Sequence, residues 1–216
     1  MTLKPITDFH EVVSARRSVR SYDPAFRIPR EELAEILNEA ALAPSSSNLQ
    51  PWRFLVIDDR EAQETLKPIA YNQQQVSDAS AVIAVLGDTE GYNQAELISG
   101  RALAAGYITE EFKNRSVVRT IKGYRSMSAD KRREIALIDG GLVSMVLMLA
   151  AKARGYDTVP MGGFDGEAFI KTFQVPTAYV PVMLIAIGKA AAPGNPTIRL
   201  TADETTFWNN FDRLQE

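Results

Sequence analysis

Ala43-Pro-Ser-Ser-Ser-Asn-Leu-Gln-Pro-Trp52 joins an amphipathic helical pattern to a short apolar run, Phe54-Leu-Val-Ile57. Three consecutive hydroxyls, an Asn and a Gln supply short donors and acceptors, and Pro44 and Pro51 restrict the backbone at both ends. The stretch therefore predicts a helix-to-strand connection. A rigid polar rim for a flat, heteroatom-rich ligand would be built this way, and so would an ordinary turn.

Upstream, Arg16-Arg-Ser-Val-Arg20 places three guanidinium groups and a hydroxyl in five positions, just before the turn signal Ser21-Tyr-Asp-Pro24. Guanidiniums bind phosphate oxygens as bidentate forks. Equally, arginines at a helix C-terminus offset its dipole. Further on come Tyr71-Asn-Gln-Gln-Gln75, Val159-Pro-Met-Gly-Gly-Phe164, Ile187-Gly-Lys189 and Arg199-Leu200. Together with the arginine and serine stretches, and in this order, these segments resemble the nitroreductase family of FMN-dependent oxidoreductases over almost the whole chain.

Composition narrows the chemistry independently. The 216 residues, 45% hydrophobic and 24% charged, suffice for one domain with a full core, taken as 1–216. A net charge of −3 speaks against general nucleic-acid binding, so the arginine cluster reads as a site. Without cysteine there is no disulfide, thiolate metal site or cysteine nucleophile. No residue pattern suggests a metal site, and His10 reads as structural. Redox chemistry then has to come from a cofactor. No secretory pattern opens the sequence, which suggests a cytoplasmic enzyme. The apolar window 135–151, interrupted by Asp139, Gly140, Gly141 and Ser144, reads as a buried helix too short for a membrane span.

The patterns along the chain predict a short helix from Asp8 into Arg16, and a second helix opening at Pro29 with Leu33, Ile36, Leu37, Ala40 and Ala41 on one face. They predict strands at Arg53–Ile57, Ala81–Leu86, Thr158–Met161 and Val180–Gly188, the second of them buried on both faces. A long apolar helix over 133–154 should be central or packed on a partner, with Gly140 and Gly141 admitting another backbone and Gly155 as its stop. Residues 95–129 read as helical packing; the resemblance implies instead that they cover the active site. The aromatics Phe207, Trp208 and Phe211 should dock on the body or on a second subunit.

The resemblance implies an α+β fold with a mixed central sheet flanked by helices, an intertwined homodimer with FMN at each interface, and a C-terminal extension packed on the partner. It implies that Arg16, Ser18 and Arg199, with Lys189, hold the phosphate and ribityl chain. Arg17, Arg20, Asn72 and Gln75 would meet the pyrimidine edge. Pro160, Met161, Gly162 and Gly163 would lie beside the ring and its N5, and Pro44, Ser45, Ser46 and Asn48 would reach it from the partner. No side chain is needed as nucleophile or obligatory acid. No dinucleotide fingerprint is present, so NADH or NADPH has to visit the substrate's own site in alternating half-reactions. The implied activity is reduction of nitroaromatics, quinones or similar flat acceptors. The alternatives are a relative acting on enones or on its own flavin, and a flavin-binding protein without turnover.

Overall fold

The computed structural model describes residues 5–211; the single-domain expectation runs beyond them at both ends. Four strands form one sheet in the order β1-β2-β4-β3: β1 Trp52–Ile57, β2 Ala81–Asp88, β3 Asp157–Met161 and β4 Tyr179–Gly188. Every expected strand is present.

All three pairings are antiparallel. The parallel component expected of a mixed sheet is confined, among the described residues, to an isolated bridge between Ser18 and Thr158. The reason is connectivity. A parallel neighbour at the β3 edge has to come from a distant segment, and only the arginine stretch lies there.

The inner strands are apolar on both faces. Ile83 and Val85 of β2 and Ile185 and Ile187 of β4 enter one cluster, whereas Val82, Ala84, Leu184 and Ala186 enter another on the opposite face. Alternation of side chains across a strand makes this division. The first face is covered by α2, Arg30–Ala40, and by the long helix α7, Ala129–Ala153. The second is covered by α3, Arg60–Ile69, the single turn α4, Gln75–Asp78, and α8, Gly166–Thr172. Continuous burial of β2 thus reflects cover from both sides, in an antiparallel sheet.

The helix ends follow local chemistry. Asp8 caps α1, Phe9–Ala15, by accepting from the Glu11 N–H, and α7 stops at Gly155, whose φ is +88°. Between β2 and α7 lie α5, Ala95–Ala104, and α6, Glu110–Ser126. After β4 the chain runs without helix or strand, save the Ala190 bridge, as far as α9, Ala202–Thr205.

Three expectations need correction. The 25-residue α7 is long and apolar enough to cross a bilayer, because Asp139 and the two glycines lower its mean hydropathy too little; half of its most apolar stretch is nevertheless buried in the protein. Gly140 admits a side chain, not a backbone: a Cβ there would lie 2.6 Å from a methyl of Val182 on β4, while Gly141 faces open space. Of the two docking places expected for the C-terminal aromatics, the body of their own chain is the one that fails: Trp208 and Phe211 are exposed, with Phe211 against the neighbouring Phe207 ring at 4.7 Å between centres. Ile138, Leu142 and Met145 form an exposed apolar stripe on α7, at the i, i+4, i+7 spacing of one helix face.

The Val182 contact makes Gly140→Ala costly even inside a helix. It should lower unfolding stability by about 1–3 kcal/mol through overpacking. Gly123→Ala on α6, where nothing approaches within 4 Å, should be neutral or raise stability by up to about 1 kcal/mol. Chemical denaturation of the two variants beside the parent protein checks both signs.

Candidate functional site

The site begins where β4 leaves the sheet. From Lys189 the chain turns back along the arginine stretch: the Asp23 N–H donates to the Lys189 carbonyl, Tyr22 pairs with Ala190, and the Ala191 N–H donates to the Ser21 carbonyl. Further along, a Cβ on Gly194 would lie 2.7 Å from the Arg17 Cβ, so only glycine allows this approach. The run-back carries Arg199 to Arg16. Burial, then the Arg199 and Arg17 charges, lower the Arg16 pKa. Among the described residues no carboxylate pairs with Arg16, Arg20 or Arg199. Cations gathered without a counter-charge are a receptor for an anion.

Arg16 to Arg20 run beside β3, with the Val19 N–H donating to the Thr158 carbonyl. An extended chain alternates its side chains. Val19 is accordingly buried in the core, whereas Arg16 and Ser18 are half-buried and Arg20 is exposed. Arg17, at Val19's parity, turns back instead, its guanidinium donating to the carbonyls of Ser14 and Arg16 at the end of α1. It lines a separate cleft of about 340 Å³ with Lys152 and Asp157. For Arg17 the helix-dipole reading describes the geometry. Lys189 is likewise occupied, 3.2 Å from the Asp23 carboxylate and 5.5 Å from the Phe26 ring centre.

Three residues beyond Thr158, about 10 Å along β3, stands Met161, followed by the exposed Gly162 and Gly163. Pro160, just before Met161, is half-buried. The 71–75 segment meets them there. The buried Gln75 amide donates to the Gln73 side chain at 2.8 Å and approaches the Met161 sulfur at 3.4 Å. Gln73 in turn donates to the Gly163 carbonyl at 2.9 Å. Tyr71 and Asn72 are exposed and left-handed, with φ of +55° and +56°, and the Tyr71 ring lies 3.8 Å from where a Gly163 Cβ would be. Gln73, which ties the two segments together, was not among the expected site residues. Its neighbours carry the same amide, so sequence does not rank them.

Pro44, Ser45, Ser46 and Asn48 stand elsewhere. Their loop leaves α2 on the α7 side of the sheet, and among the described residues no hydrogen bond joins it to Arg16–Arg20, to 71–75 or to 160–163. Ser47, Asn48 and Gln50 all have positive φ, near +50°, a conformation that costs of order 1–3 kcal/mol per residue and needs support from its surroundings. The Ser45 hydroxyl accepts from the Gln50 N–H at 2.9 Å. Ser46 donates its N–H, at 3.1 Å, and its hydroxyl, at 3.2 Å, to Asp139 of α7. That carboxyl is only 1% exposed; burial raises its pKa, against the Ser46 hydrogen bonds that lower it. Asp139 was seen in the sequence only as a break in an apolar window. A lone acid there was the available signal.

Known proteins share this sequence and fold. A family model described as the nitroreductase family matches residues 13–189. The chain is 50% identical over 203 residues to the Bacillus subtilis protein named "Putative NAD(P)H nitroreductase YdgI", covering 93% of this chain and 97% of that one. It is 38% identical over 202 residues to the "CLA biosynthesis enone reductase" of Lactiplantibacillus plantarum, covering 92% and 93%. The crystal structure of an Exiguobacterium sibiricum protein in complex with FMN superposes with a TM-score of 0.93 at 46% identity, covering 96% of this chain and all of that one.

The like-charged Arg16 and Arg199 pair yields a test that separates binding from folding. Arg16→Gln should leave the ligand-free melting temperature unchanged or slightly raised. It should lower FMN affinity by roughly tenfold or more, the worth of a charged hydrogen bond, and leave riboflavin, which lacks the phosphate, little affected. Fluorescence titration with the two flavins, beside a thermal melt, reads both effects.

Proposed function

The chain belongs to the nitroreductase family, and on that premise we propose that it is an FMN-dependent NAD(P)H oxidoreductase reducing nitroaromatics, quinones or similar flat acceptors. The observation that carries the reading is the Arg16 and Arg199 pair at one end of β3, without a paired carboxylate among the described residues, with exposed glycine backbone and convergent amides at the other. A phosphate at one end and a heterocycle at the other suit that donor set. When bound, FMN supplies hydride acceptance and donation at its N5.

The residues divide the remaining work. Arg16, Ser18 and Arg199 hold the phosphate and ribityl chain, while Arg20, Asn72 and Gln75 face the pyrimidine edge. Among the described residues the Gly162 and Gly163 amides have no backbone partner, which leaves them to donate toward N5. Pro160 and Met161 flank the ring. Arg17 and Lys189 act from behind, fixing the arginine stretch and the run-back. No nucleophile is required, and without a separate nicotinamide domain the reductant and the acceptor use one site in turn, a ping-pong order.

We also propose that the protein works as a homodimer. The apolar stripe Ile138, Leu142 and Met145 on α7 supports this, as do the exposed Trp208 and Phe211. So does the placing of the 44–48 loop away from the other site residues of its own chain: a second subunit would supply it. Enone reduction is the second reading, favoured by the 38% identity to a protein named as an enone reductase.

The purified protein should be yellow, and anaerobic NADH or NADPH should bleach it. A nitroaromatic, a quinone or an enone should then restore the colour and sustain steady turnover, and the acceptor that does so identifies the reading. A yellow protein that neither nicotinamide bleaches would instead be a flavin carrier. Gln75 is neutral, and a cation beside reduced, anionic flavin stabilises it, so Gln75→Lys should raise its potential by on the order of 30 mV for about 1.4 kcal/mol on a two-electron couple. Potentiometric titration of the variant checks the sign.

A further inference from the structure

We infer that Asp139 is the positioning residue of the flavin-facing loop: it clamps Ser46 from inside α7, so that Ser46 is the loop's anchor, and Ser45 and Asn48 are left to meet the ligand. The inference rests on the reading that residues 44–48 contact FMN, and it divides that group in two.

The division follows from counting donors. Ser46 has two hydrogens to give, on its nitrogen and its hydroxyl, and both go to the Asp139 carboxylate. It has none left for a ligand. Ser45 uses its oxygen as an acceptor for the Gln50 N–H, so its own hydroxyl hydrogen stays available. The Asn48 side-chain oxygen accepts from the Gln50 amide, which leaves its NH₂ free to donate.

The clamp also answers why a carboxylate is buried at this point. No cation pairs with Asp139 among the described residues, and an acid 1% exposed on an apolar helix is not kept for stability. It accepts from the residue immediately before the left-handed Ser47 and Asn48. With α7 seated on the sheet, the loop is thereby held to the rigid body of the protein from one side. Side chains that build a binding rim need such support from behind to keep their geometry.

The test measures FMN dissociation from the holoenzyme, the ligand-free melting temperature, and hydrogen exchange of a peptide covering 45–50, in Asp139→Ala, Asp139→Asn and Asn48→Ala. Asp139→Ala should weaken FMN about tenfold or more and speed exchange in that peptide. Its melting temperature should move by no more than about 4 °C, because alanine suits a helix and removes an unpaired buried charge. Asp139→Asn, which keeps one acceptor oxygen for the Ser46 N–H, should stay within about threefold of the parent. Asn48→Ala should weaken FMN with exchange unchanged.

If Asn48→Ala weakens FMN while Asp139→Ala does not, the loop touches flavin and the positioning role is overturned. If neither changes FMN binding although Asp139→Ala loosens the peptide, the flavin-facing reading of the loop fails, and the inference with it. Should Asp139→Ala not fold, an Asp139→Asn variant as weak as Asn48→Ala would equally overturn the acceptor role.

Discussion

Burial of β2 and of the second half of β4 on both faces is the constraint from which the rest of the molecule follows. Once these two strands are the inner pair, antiparallel to one another, α7 and α2 must cover one face and α3, α4 and α8 the other. The edge strand β3 then lies beside the end of β4. The segment that leaves β4 has one open course, back along the arginine stretch that borders β3. The arginines of the two chain ends meet because a central strand delivers its continuation to that edge.

This arrangement makes β3 the axis of the site. Near its start Thr158 pairs with Ser18 and Val19, and its last residue, Met161, leads into the two glycines, where the 71–75 segment arrives. Cations collect at one end and amides at the other, separated by three residues of extended chain. A ligand charged at one end and heterocyclic at the other fits such an axis. In the proposed site Arg17 stands apart from the other arginines, its guanidinium turned back to the carbonyls at the end of α1.

The other half of the proposed site is governed by α7. This helix seals one face of the sheet, exposes an apolar stripe, and carries inside it the acid that holds the serine loop. Core packing, the proposed subunit contact and rim geometry all fall on one element. A change on α7 is therefore expected to be felt in flavin binding even where it touches no ligand.

The sequence alone determined the four strands, the α2 pattern and the stop at Gly155, because helix periodicity, capping residues and unbroken apolar runs are local signals. It also marked the chemistry-bearing stretches, since arginines, a serine run and paired glycines carry their function in their composition. The tertiary structure alone decided which of those residues act together. Whether Arg17 or Arg16 faces the site depends on the phase of an extended segment, and the use of Lys189 depends on Asp23 standing across a turn, 166 positions away in the chain. Gln73 could not be told from its neighbouring glutamines, and Asp139 could not be matched with Ser46, 93 positions distant. Such pairings are made by sheet order and helix packing, which depend on contacts between distant segments and leave no periodic trace in the sequence.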